Sequence, residues 1–88
     1  INKIRIKLDK VDDKLLKTIK ERTLLVDKIL KLKKNKNQII DQKRINFILK
    51  RVKKFSKKAK IDPAITVNIW KVMIKGFINY EYKKFKKK

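Results

Sequence analysis

Residues 2–34 read NKIRIKLDKVDDKLLKTIKERTLLVDKILKLKK, and this stretch decides the fold. Its apolar residues recur in steps of three and four, the spacing of one face of an α-helix. The apolar members of this row are Ile4, Leu8, Val11, Leu15, Ile19, Val26 and Ile29. A helix of this length would run close to 50 Å, at about 1.5 Å per residue. The rest of so short a chain cannot bury the whole row, so we expect the helix to pack against a second copy.

Two shorter helices are predicted to follow a polar loop at residues 34–38. Asp41 is a suitable N-cap for a second helix that runs to about Ala59. Asp62 and Pro63 predict the start of a third, as a cap followed by a first-turn proline. The tail at residues 83–88 is expected to fray. The fold class is therefore all-α, with three helices in a single domain that spans residues 1–88.

The two shorter helices each have an apolar face with helical spacing. The second helix is predicted to direct inward Ile45, Ile48, Val52 and Phe55. The third is predicted to direct inward Val67, Trp70, Met73, Ile74, Phe77 and Ile78. We interpret the aromatic members, with Tyr80 and Tyr82, as packing residues and not as platforms for nucleobases.

The composition excludes several classes of function. The chain contains no cysteine and no histidine, which removes disulfides, thiolate metal sites and the commonest general base. We therefore expect neither a metal nor a cofactor. No apolar run approaches the roughly 18 residues of a membrane span, and no signal-peptide core opens the chain. A cytoplasmic protein with no membrane partner is the expectation.

The formal net charge of +21 raises the question of nucleic-acid binding. Only four of the 29 basic residues are arginines, although arginine makes the bidentate contacts to phosphates and bases. The abundance of lysine, isoleucine and asparagine is typical of A-rich codons, and it predicts a solvated lysine surface. Nucleic acid is thus not the favoured partner. A basic nucleic-acid-binding helical dimer, with steep salt dependence, and a plain helical oligomerisation module remain as competing hypotheses.

Five charged residues lie on or beside apolar helix faces: Arg5, Arg22, Lys33, Arg44 and Glu81. A charge on such a face costs several kcal/mol unless something pairs with it. Each residue alone could be an edge position with its stem on the apolar surface, and Glu81 could simply form a structural ion pair with Lys33 or an arginine. Together they predict a pocket that holds a small dicarboxylate.

At this point the sequence resembles the all-helical chorismate mutases, a family that includes the related isochorismate pyruvate-lyases. The resemblance runs from Ile4 to about Lys84, and each motif is weak alone whereas their order and spacing are specific. In chain order the matching residues are Ile4-Arg5, Leu8-Asp9, Asp12, Leu15-Leu16, Glu21-Arg22, Leu25-Val26, Lys33, Ile39, Asp41, Arg44, Ile61-Asp62-Pro63, Ile69-Trp70 and Glu81.

The resemblance implies an intertwined homodimer whose two active sites are each built by both chains. It implies the conversion of chorismate to prephenate, a step in aromatic amino acid biosynthesis. Arg22 and the partner's Arg5 would bind the substrate carboxylates. Lys33 would donate to the ether oxygen and a carboxylate, and Glu81 would also donate to the ether oxygen. Because a carboxyl group donates only when protonated, we expect activity to fall as pH rises.

Asp41 and Arg44 would position the substrate ring and its hydroxyl group, again by resemblance. Two positions depart from the mutase pattern. Ile45 replaces a glutamate that contacts the hydroxyl, and Phe77 replaces a serine one turn before Glu81. The isochorismate pyruvate-lyases, which release salicylate and pyruvate, carry an apolar and an aromatic residue there. Glu81, where the lyases usually have glutamine, favours the mutase, with the lyase as the alternative.

Overall fold

The computed structural model describes residues 1–85, and these residues are helical with no strand. Helix α1 spans Asn2–Leu32, α2 spans Gln42–Lys58 and α3 spans Pro63–Lys84, with a short 3₁₀ helix at Lys36–Gln38. The prediction of an all-α fold with one long and two shorter helices is confirmed. The chain divides into two compact units, residues 1–32 and a second unit that begins at Lys33.

Helix α1 leaves much of its apolar row exposed. Ile4 is 64% exposed, Leu15 54% and Ile19 41%. Near its end Arg22 and Val26 are half-buried. Exposing large aliphatic side chains to water costs about 25 cal/mol per Å² of apolar surface. A partner that covered this face of α1 would therefore stabilise the protein.

Helix α1 ends at Leu32, two residues earlier than the prediction of Lys34. The Gln38 side-chain oxygen accepts hydrogen bonds from the backbone N–H groups of Lys34 and Asn35. In a continued helix these N–H groups would bond to carbonyls four residues earlier. Side chains that offer the backbone such alternative partners stop a helix, so Lys33 lies just outside α1.

Helix α2 begins and ends with defined caps. Asp41 is its N-cap, as predicted, because its Oδ1 accepts the Arg44 backbone N–H at 3.0 Å. At the other end the Ile61 N–H donates to the Ser56 carbonyl at 2.8 Å, and Lys60 has a left-handed φ of 59°. This reversal, which glycine usually makes, turns the chain toward α3.

The packing of α2 against α3 corrects one prediction. Phe55 is 68% exposed, whereas the neighbouring Ser56 is only 1% exposed. The Ser56 hydroxyl lies 2.7 Å from the Thr66 hydroxyl of α3 and donates to the Val52 carbonyl at 2.7 Å. Two hydroxyls at that distance bring the helices close together, which leaves room for serine and not for a phenyl ring. The row of inward residues therefore steps from Val52 to Ser56, so the prediction for Phe55 was wrong.

Helix α3 has the inward face that its sequence predicts. Ile74 is buried, and the other five predicted members are half-buried. Asp62 caps the helix by accepting the Ala64 N–H at 2.9 Å, with Pro63 in the first turn. Lys83 and Lys84 belong to α3, so for them the prediction of fraying was wrong, and residues 86–88 lie outside the described residues. None of the helices described is long and apolar enough to cross a membrane.

Candidate active site

Lys33 and Glu81 meet inside the second unit as a partly buried ion pair. The Lys33 Nζ lies 3.2 Å from Oε2 and 3.3 Å from Oε1 of Glu81. It lies 3.5 Å from the Ile39 carbonyl oxygen. The two side chains are 16% and 9% exposed. An ammonium group has three donors, and the contacts of Lys33 direct them to the Glu81 carboxylate and the Ile39 carbonyl.

Sequence features on both sides hold this pair in place. Glu81 lies in the last turns of α3, where its backbone carbonyl accepts the Phe85 N–H at 2.8 Å. Lys33 precedes a loop whose Asn35 side chain accepts the Asn37 N–H at 3.1 Å and caps the 3₁₀ helix. Ile39, which follows that helix, is buried and presents its carbonyl to Lys33. Sequence reasoning missed this carbonyl, because only the folded loop brings it there.

Asp41 and Arg44 lie at the start of α2. The Asp41 carboxylate receives the Arg44 backbone N–H, which fixes the first turn of the helix. The Arg44 guanidinium lies over the Phe47 ring, with Cζ 5.1 Å from the ring centroid. Sequence reasoning missed Phe47, although its position three residues after Arg44 on a helix is a signal for this contact.

Ile45 and Phe77, the two departures from the mutase pattern, are both half-buried. Ile45 lies on the α2 face that packs toward α3. Phe77 lies one turn before Glu81 and meets Tyr80 edge to face, with ring centroids 6.4 Å apart and planes at 87°. Ile45 thus presents an apolar surface in place of a glutamate carboxylate, and Phe77 presents one in place of a serine hydroxyl.

Arg5 and Arg22 both lie on α1. Arg5 is exposed and Arg22 is half-buried. Seventeen residues separate them, which is about 25 Å along a helix axis. One small ligand therefore cannot contact both arginines of the same α1 helix.

An open hollow of about 460 Å³ lies beside the ion pair in the second unit. It is lined by Lys33, Gln38, Ile40, Asp41, Gln42 and Lys43. Lys33 and Asp41 thus share one surface, whereas Glu81, which contacts Lys33, does not line the hollow. Its charged lining residues are two lysines, whose ammonium groups attract a carboxylate, and one aspartate, which repels it.

Comparison with known proteins identifies the family of the chain. The family model of chorismate mutase type II matches residues 4–82. The chain belongs to the chorismate mutase type II family. A curated chorismate mutase of Methanocaldococcus jannaschii is 33% identical over 72 residues, which cover 81% of this chain and 73% of that protein. No solved structure matches the chain. The resemblance drawn from the motifs is thereby confirmed at the level of the chorismate mutase family.

Proposed function

We propose that the chain rearranges chorismate to prephenate, with Lys33 and Glu81 at the ether oxygen. The observation that carries this proposal is the partly buried Lys33–Glu81 pair, 3.2 Å apart, in a chain of the chorismate mutase type II family. In the rearrangement one C–O bond breaks while one C–C bond forms within the same molecule. The step needs no external nucleophile or proton acceptor, which suits a chain without cysteine or histidine.

Catalysis would come from orientation and from stabilisation of the negative charge that develops on the ether oxygen. Lys33 supplies a cation whose position is fixed by Glu81 and the Ile39 carbonyl. The ether oxygen of the substrate would be a further acceptor for this ammonium. We infer that Lys33 and Glu81 turn from each other to the ether oxygen when the substrate binds.

Arg22 and the partner's Arg5 would hold the two carboxylates, and Arg44 and Asp41 would position the ring and its hydroxyl group. A guanidinium binds a carboxylate through two parallel N–H groups, which fixes its orientation as well as its position. Ile45 and Phe77 would form the apolar walls around the ring. This assignment extends the family's pattern to the matching residues of this chain.

The site would be completed in an intertwined homodimer, in which residues 1–88 act as one domain. The exposed apolar row of α1 supports this proposal, since a partner helix would cover it. The distance between Arg5 and Arg22 supports it too, because an antiparallel pair of α1 helices would place the partner's Arg5 beside Arg22. The two-fold axis would then cross near Asp13, midway between the two arginines. This crossing point lies within the exposed apolar row of α1.

A direct assay tests the reaction. Purified protein is given chorismate and isochorismate separately, while prephenate, salicylate and pyruvate are measured. We expect prephenate from chorismate, and loss of that product in Arg22→Ala with the helical circular dichroism unchanged. Faster release of salicylate and pyruvate from isochorismate would make the chain a lyase. No product from either compound would refute the enzyme and favour a binding module.

The pH dependence tests the role of Glu81. Glu81 must carry a proton to donate to the ether oxygen, so kcat/KM should fall as pH rises. The Lys33 ammonium faces it at 3.2 Å. In Glu81→Gln the amide N–H donates at every pH, so we expect a flatter pH profile than that of the parent. A pH-independent parent enzyme would contradict this role.

A further inference from the structure

The Arg44 guanidinium has an unusual environment for a charged group. Within residues 1–85 it forms no ion pair, and its hydrogen bond to Asp41 comes from the backbone N–H and not from the side chain. The guanidinium instead contacts the Phe47 ring, whose centroid lies 5.1 Å from the Arg44 Cζ. The five N–H donors of the guanidinium therefore remain available to a ligand.

The charges around Arg44 explain why an aromatic ring holds it. Residues 42–58 of helix α2 contain no acidic residue, and the carboxylate of the N-cap Asp41 accepts the Arg44 backbone N–H. Lys43, Lys50 and Arg51 lie three or four residues from Phe47, on the helix face around the ring. The π-face attracts a cation without occupying its N–H groups, which a carboxylate would do.

We propose that Phe47 is a positioning residue that holds Arg44 ready for a carboxylate or hydroxyl group of the substrate. The proposal rests on the proposed function, in which Arg44 contacts the substrate. An arginine side chain that is already oriented loses less freedom on binding than one that moves in water. Phe47 itself need not touch the substrate.

Phe55 provides a matched control on the same helix. It is 68% exposed and Phe47 is 54% exposed, so both rings lie at the surface. Within the described part of the chain no cation lies over the Phe55 ring. Leucine at either position keeps an apolar side chain and a good helix former, so neither variant should disturb α2.

A double-mutant cycle tests the proposal in the full-length protein. Phe47→Leu should raise KM for chorismate about two- to five-fold, the range expected for an exposed cation–π contact, with a smaller change in kcat. In an Arg44→Gln background it should have no further effect. Phe47→Tyr should restore the parent KM, and Phe55→Leu should leave KM and kcat unchanged. An equal effect of Phe47→Leu in both backgrounds, or no effect in the parent, would overturn the proposal.

A spectroscopic measurement separates this proposal from the proposed function. With only four arginines, the Arg44 Nε–H signal can be assigned by comparison with Arg44→Gln. Its proton should show an upfield ring-current shift that disappears in Phe47→Leu and persists in Phe55→Leu. If the protein turned over no substrate, the proposed function would fail, and this signal would still decide whether Phe47 holds Arg44. An Arg44 signal that Phe47→Leu leaves in place would overturn the positioning role.

Discussion

Lys33→Ala is expected to lower kcat/KM for chorismate by about 10²- to 10³-fold, the usual loss when one donor to a developing oxyanion is removed. The Lys33 ammonium contacts both carboxylate oxygens of Glu81 and the Ile39 carbonyl. Alanine removes both the charge and the hydrogen bond from the ether oxygen. Initial rates of prephenate formation measure the effect. Lys34→Ala is the matched control, because it removes the same charge from an adjacent exposed side chain.

The same variant should also destabilise the protein. The Glu81 side chain is 9% exposed, and removing Lys33 takes away the ammonium that contacts its carboxylate. Loss of one partner from a buried pair costs about 3 kcal/mol. Urea unfolding, monitored by circular dichroism, measures this cost. A plain oligomerisation module predicts the opposite. In that case Lys33→Ala would be as stable as the parent or more stable, because the substitution would relieve a buried charge.

A double variant separates catalysis from folding. Lys33→Met with Glu81→Met replaces the pair by two apolar side chains of similar length, a change that is often neutral or stabilising. We expect stability within about 1 kcal/mol of the parent, together with activity at least as low as that of Lys33→Ala. Recovery of turnover in this folded variant would refute the catalytic role of the pair.

The fold followed from the sequence wherever helical spacing and capping residues pointed the same way. The row of α1, the Asp41 cap and the Asp62-Pro63 start each combine a local signal with an apolar face, and the structure has all three helices. The end of α1 and the orientation of Phe55 did not follow. The first depends on the Gln38 side chain, and the second depends on how closely α2 approaches α3 at Ser56. Both arise from tertiary or loop contacts that periodicity does not encode.

The candidate site followed only in part. Charged residues on apolar faces drew attention to Lys33 and Glu81, and the structure brings these two side chains into contact. The Ile39 carbonyl has no side-chain signal, so no reading of residue types would find it. Phe47 was not among the predicted residues, because the contact of its ring with Arg44 matters only once the guanidinium is known to have no ion pair within residues 1–85. Sequence motifs indicate which side chains carry charge, whereas the fold determines which other groups those side chains contact.

Arg5→Ala and Lys33→Ala are each expected to be nearly inactive, whereas a mixture of the two, unfolded and refolded together, should regain activity. In a mixed dimer one site combines the intact Lys33 of one chain with the intact Arg5 of the other, and the second site carries both substitutions. Since half of the refolded dimers are mixed and each has one intact site, about a quarter of the parent activity should return. Separate refolding of each variant is the control, because it cannot form mixed dimers. Activity that stayed at the level of the separate variants would show that Arg5 does not act across a subunit boundary. In that case Arg5, about 25 Å from Arg22 along α1, would have no route to the site.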